Sequence, residues 1–87
     1  MKEILMMILP GCPHCKNAER MIKELMEKHP EYRSLQIRRE DETVNKALAD
    51  SLDYYYVPCF FIDGKKIFEG VPSLKAVEGV LKEALKE

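Results

Sequence analysis

Ile4-Leu5-Met6-Met7-Ile8-Leu9-Pro10-Gly11-Cys12-Pro13-His14-Cys15 is an unbroken apolar run, a two-residue break and a pair of closely spaced cysteines. An apolar run without polar alternation is expected of a strand buried on both faces of a partly parallel sheet. Pro10-Gly11 ends it. Beyond the second cysteine, Ala18, Met21, Ile22, Leu25 and Met26 recur at the spacing that paints one face of a helix. On the opposite face Glu19–Lys23 and Glu24–Lys28 form i,i+4 pairs in the favourable order, and Pro30 stops the helix. The cysteine pair therefore falls where a buried strand hands over to a helix.

Further along, Leu35 and Ile37 alternate with Gln36 and Arg38, which predicts a short strand with one wet face. Asp41 reads as the N-cap of a second helix with Val44, Ala47, Leu48 and Leu52 as its apolar stripe. Val57-Pro58 precedes an apolar strand, Cys59 to Ile62. Asp63-Gly64 supplies the left-handed geometry of a tight hairpin, and Lys66-Ile67-Phe68 returns as its partner. Ser73 caps a last helix whose Leu74, Val77, Leu81, Ala84 and Leu85 face inward. The order βαβαββα has no repeat, linker or low-complexity segment. An opening strand, helix and strand imply a right-handed parallel crossover, and the hairpin adds antiparallel pairing. The expectation is an α/β domain spanning residues 1–87, with a mixed four-stranded sheet flanked by three helices.

Composition narrows the function. The 87 residues are 46% hydrophobic and 33% charged, with a formal net charge of −1, an ordinary globular mixture. A domain this small buries only about 60–65% of its extended-chain surface, so the core is thin. The charges are mixed along the chain, which argues against nucleic acid as a partner. The opening apolar run is too short for a signal-peptide core or a membrane span. The cytoplasm is the expected compartment, and a monomer the expected state. Three cysteines, an odd count, fit a reducing compartment and a catalytic or metal-binding pair better than a secreted disulfide scaffold.

Cys12 at a helix N-terminus meets free backbone N–H groups and the positive end of the dipole, which favour a thiolate. Pro13 occupies the first helical position, where its missing N–H costs nothing. Cys15 lies nearly a turn further on, within reach of Cys12. An exposed Cys12 would attack a substrate disulfide, and a shielded Cys15 would resolve the mixed disulfide. His14 would place a proton-bearing donor beside the Cys12 sulfur, or else be a solvated loop residue. Two other readings stand beside this one. Cys12, Cys15 and Cys59 could form a metal-binding module, or the domain could serve only for docking.

In size and element order the chain resembles the thioredoxin-fold superfamily, and within it the small glutaredoxin-like redoxins. The likeness rests on Cys12-Pro13-His14-Cys15 after the first strand, Val57-Pro58 before the third and Gly70 after the fourth. It implies a thiol–disulfide oxidoreductase with a cis Val57-Pro58 peptide lying against the cysteines and guiding the substrate. It also implies protein disulfide partners, an electron source that is either a reductase or glutathione as co-substrate, and no bound organic cofactor.

The chain departs from the glutaredoxin pattern at several places. His14 stands where Cys-Pro-Tyr-Cys has its tyrosine, as in the larger periplasmic disulfide oxidases. Leu9-Pro10-Gly11 replaces the usual lysine ahead of the first cysteine. Glu69-Gly70-Val71-Pro72-Ser73 replaces a motif with two glutathione-holding aspartates, leaving Gly70 and the following helix N-terminus as contacts. There is also no Trp beside the cysteines, as thioredoxins proper carry.

Cys59 follows the proline and is expected near the cysteine pair, either as a third exchanging thiol or as a small core residue. Tyr54-Tyr55-Tyr56 would offer a peptide-docking surface, with Tyr56 beside Val57, or a ring over the core.

Overall fold

The computed structural model describes residues 2–86, so the domain limits read at 1 and 87 lie just outside the described residues. Four strands and three helices follow in the expected order. They are β1 (Ile4–Ile8), α1 (Pro13–Lys28), β2 (Ile37–Asp41), α2 (Lys46–Ser51), β3 (Cys59–Ile62), β4 (Lys65–Glu69) and α3 (Leu74–Leu85). The sheet order is β2-β1-β3-β4. β1 and β2 run parallel, Ile4 opposite Ile37, whereas β1–β3 and β3–β4 are antiparallel. This mixed sheet is the one the crossover and the hairpin require. Asp63 (φ 52°) and Gly64 (φ 77°) make the hairpin turn with both residues left-handed, as a two-residue connection of this hand needs.

The alternation along each strand divides the interior in two. Ile4, Met6, Phe60 and Ile62 face one side, where they pack with Ala18, Ile22 and Leu25 of α1 and Val77, Val80, Leu81 and Ala84 of α3. Met7, Cys59 and Phe61 face the other side, covered by Leu48 and Ala49 of α2 with Leu52, Tyr54 and Val57. Each strand side chain changes face with its neighbour, the period of two that a pleated strand imposes.

Several expectations are corrected. Asp41 does not cap α2: it ends β2, and its Oδ1 accepts from the Thr43 N–H (2.8 Å) and hydroxyl (2.6 Å). A short acidic side chain closes such a local turn in preference to starting a helix. Asn45 is the cap instead, accepting from the Leu48 N–H at 3.2 Å. The later start shortens α2, so Val44 stays 82% exposed and Ala47 is exposed too, while Leu48 and Leu52 still reach the core.

Leu35 is buried but lies ahead of β2, closing a 3-10 turn over Pro30–Ser34. Tyr32, in that turn, is a core residue the periodicity did not single out, and its hydroxyl donates to Glu78 at 2.8 Å. Burial and that carboxylate push its phenol up to about 12. Glu24 pairs with Lys28 as expected, but Glu19 binds Arg39 of β2 through two hydrogen bonds, 2.7 and 2.8 Å, rather than pairing with Lys23. A guanidinium fork matches a carboxylate better than an ammonium does. In α3 the inward stripe passes through Val80, and Leu74 is half-exposed.

Candidate active site

The turn that delivers the cysteines is built from Leu9-Pro10-Gly11-Cys12. The Cys12 N–H donates to the Leu9 carbonyl at 3.3 Å, with Gly11 at φ +75° behind Pro10. Proline followed by a left-handed glycine is the arrangement a type II turn demands. Cys12 is left as the N-cap of α1 in extended geometry, Pro13 as the first helical residue, and Cys15 within the first turn. The Cys12 carbonyl takes the first helical hydrogen bond, from Lys16 at 3.1 Å.

Position separates the two thiols chemically. Cys12 is half-buried and Cys15 only 4% exposed. The backbone N–H of Cys15 holds the Cys12 thiol below its ordinary range, helped by the Cys15 thiol and the His14 N–H, against a partial loss of hydration. The Cys12 sulfur closes no full capping hydrogen bond, so these groups act as an electrostatic cradle for a thiolate. Burial pushes Cys15 up to about 11, and the nearby Cys12 adds to the shift. Cys12 is thus the more readily ionised of the two thiols, and Cys15 the one that holds its proton at neutral pH.

A groove of about 430 Å³ opens beside the pair, lined by His14, Tyr56, Val57, Gly70 and Val71. His14 and Pro13 are exposed. The Val57–Pro58 peptide is cis and Pro58 is fully buried, with its carbonyl accepting from the Gly70 N–H at 3.1 Å. Residues far apart in the chain thus meet in one concavity: the motif histidine, the segment before β3 and the segment after β4. Tyr55 (82%) and Tyr56 (68%) hold their rings in solvent, whereas Tyr54 packs edge-on to Phe61 and donates its hydroxyl to Glu42 at 2.8 Å.

Two groove features escaped the sequence reading. Val71, 69% exposed, forms part of the lining. Glu69, at the end of β4, accepts from the Tyr55 and Tyr56 backbone N–H groups and from Lys66. An acid closing a surface strand reads as a solvated edge, so no local signal marks it.

Cys59 follows Pro58, but its side chain enters the α2-side cluster, fully buried, where loss of hydration pushes its thiol up to about 12. Among the described residues no three His, Cys, Asp or Glu side chains converge as a metal site would need. The three-cysteine set does not assemble.

Gly70 sits at φ +105°, and a Cβ there would meet no atom within 4 Å. Any cost of Gly70→Ala therefore comes from backbone strain, about 1–3 kcal/mol. Urea unfolding should show that loss; an unchanged midpoint would mean the backbone relaxes away from this geometry.

A family model described as a thioredoxin domain matches residues 2–82. No match was found among curated proteins. Among solved structures, one described as a malarial protein superposes with a TM-score of 0.71 at 13% identity, covering 99% of both chains. The oxidized thioredoxin O2 of Arabidopsis thaliana gives a TM-score of 0.60 at 20% identity, over 99% of this chain and 76% of that one. At such identities the likeness is one of fold. No helix among the described residues is long and apolar enough to cross a membrane.

Proposed function

Because the chain belongs to the thioredoxin-domain family, we propose that it is a thiol–disulfide oxidoreductase of the glutaredoxin or thioredoxin kind, with Cys12 as nucleophile and Cys15 as resolving thiol. The observation that carries this reading is the asymmetry between an N-capping, accessible Cys12 of lowered pKa and a buried Cys15 one turn behind it. The Cys12 thiolate attacks one sulfur of a substrate disulfide; a mixed disulfide forms and one substrate thiolate leaves. Cys15 then loses its proton to solvent and attacks the Cys12 sulfur. The Cys12–Cys15 disulfide forms and the second substrate thiolate leaves. Two electrons have passed to the substrate, and the departing thiolates take protons from water. The same steps run backwards oxidise a dithiol.

Pro13 starts the helix that cradles the thiolate, and a His14 ring N–H turned towards the Cys12 sulfur would stabilise it as leaving group. Val57, Tyr56 and Gly70 border the path of an extended protein substrate, and the buried Pro58 supports them from beneath. Glutathione or a protein reductase restores the dithiol. The groove lining is largely apolar, with Tyr56, Val57 and Val71 beside His14 and Gly70, which suits an extended protein chain as substrate. A monomer acting in the cytoplasm, on neither nucleic acid nor membrane, completes the proposal.

A redox titration in glutathione or dithiothreitol buffers, with thiols trapped by alkylation and counted by mass, tests it. Cys12 and Cys15 should change together as one two-electron couple while Cys59 stays reduced. A midpoint near about −270 mV would mark a reductant, one near about −120 mV an oxidant. In the fully reduced protein at neutral pH, Cys12 should be alkylated first, because only the thiolate reacts. Metal-protected thiols without a couple, or first reaction at Cys15, would overturn the reading.

A further inference from the structure

Residues 53–58 belong to no strand or helix, yet two of them, Tyr56 and Val57, line one side of the groove. Backbone N–H groups in such a segment need partners from elsewhere. Glu69 Oε2 accepts from two consecutive ones, Tyr55 N–H at 2.8 Å and Tyr56 N–H at 3.1 Å, while its Oε1 takes Lys66 Nζ at 2.5 Å. The next residue, Gly70, donates its own N–H to the Pro58 carbonyl. The end of β4 thus holds the segment at Tyr55-Tyr56 and again at Pro58, with Val57 between the two holds. The tyrosine rings do not anchor the wall, since both point into solvent.

We propose that Glu69 is a positioning residue for protein substrates, its carboxylate holding the Tyr55-Tyr56-Val57 wall in the shape that receives a chain laid along the groove. The proposal rests on the oxidoreductase reading above. Its three donors keep the carboxylate ionised, with a pKa lowered to about 2, so the grip persists through the neutral range. A substrate that lies along the wall depends on its order. A small disulfide that needs only the Cys12 sulfur does not.

The test compares the whole protein with Glu69→Ala and Glu69→Gln, using dithiothreitol as reductant and two oxidised substrates, insulin and hydroxyethyl disulfide. Glu69→Ala should raise KM for insulin roughly tenfold, since binding must then order freed backbone. It should leave kcat for insulin, the rate with hydroxyethyl disulfide and the Cys12–Cys15 midpoint unchanged. Amide exchange at Tyr55 and Tyr56 should accelerate. Glu69→Gln keeps a weaker, neutral acceptor and should raise the insulin KM by only about threefold over the parent.

An unchanged insulin KM in Glu69→Ala, or an equal loss with both substrates, would overturn the proposal. If Glu69→Ala fails to fold, Glu69→Gln decides: a rise of about threefold confined to insulin supports the grip, and no rise refutes it. A parent protein that reduces neither substrate sinks the oxidoreductase reading and this proposal together. A parent that reduces both, with KM indifferent to Glu69, sinks the grip alone.

Discussion

Cys12→Ser is expected to lower disulfide reduction by at least about a thousandfold, because no other thiol in the site can form the mixed disulfide. A hydroxyl stays protonated at neutral pH and cannot displace a thiolate. Cys15 cannot take over, being 4% exposed with its pKa pushed up to about 11. Cys59 is fully buried in the other cluster. The loss should not come from unfolding. Serine is a better N-cap than cysteine, and at position 12 its oxygen meets the N–H groups that now cradle the sulfur, so stability should hold or rise by about 0.5–1 kcal/mol.

Cys15→Ser should behave differently. The first attack remains possible, the second does not, and a mixed disulfide between Cys12 and the substrate should accumulate as one added mass. Activity measured beside urea unfolding separates chemistry from stability. A Cys12→Ser protein that kept a tenth of its activity would displace Cys12 from the role of nucleophile. Absence of the trapped adduct in Cys15→Ser would displace Cys15 from that of resolving thiol.

The parts of this site legible in the sequence are those whose signal is local. The apolar run, Pro10-Gly11 and Pro13 mark a strand, a turn and a helix start within ten residues, so the placement of Cys12 and Cys15 follows from short-range rules. Asp63-Gly64 and Ser73 are of the same kind: the pair takes up the left-handed turn geometry itself, and Ser73 accepts from the Ala76 N–H three residues on. Val57 and Gly70 came from resemblance and Tyr56 from its aromatic ring beside Val57, and the structure gathers them with His14 into one groove.

The contacts that escaped join distant parts of the chain. Glu69 reaches amides 13 and 14 residues away, Arg39 draws Glu19 out of its helical pair, and Tyr32 finds Glu78 46 residues on. The error at Asp41 has another cause. Asp41 and Asn45 are both good caps, and the choice between them depends on which turn the chain closes first. In a helix of six residues the stripe is too short for periodicity to decide.

Phe60→Ala should be the most damaging single change to the fold. Phe60 is 1% exposed in β3, opposite Met6 on one side and Phe68 on the other, and faces the helices α1 and α3. Removing a buried phenylalanine ring costs about 3–5 kcal/mol in transfer and cavity terms together. A domain of this size has only about 4–13 kcal/mol in total, so much of the protein would be unfolded at modest temperature. The melting midpoint should fall by at least about 12 °C. Phe61→Ala, one position along, empties the smaller cluster under the short α2 and should cost less, because a thin cover collapses more easily onto the gap.

The two variants also separate core from site. β3 begins directly after Val57-Pro58, so unfolding it withdraws the groove wall from the cysteines. Activity of Phe60→Ala should therefore follow the folded fraction read by circular dichroism, with normal turnover per folded molecule. A loss below about 1.5 kcal/mol would mean that the larger cluster is not what holds the sheet to α1 and α3. A fall in activity beyond the unfolded fraction would mean instead that Phe60 sets the position of the wall itself.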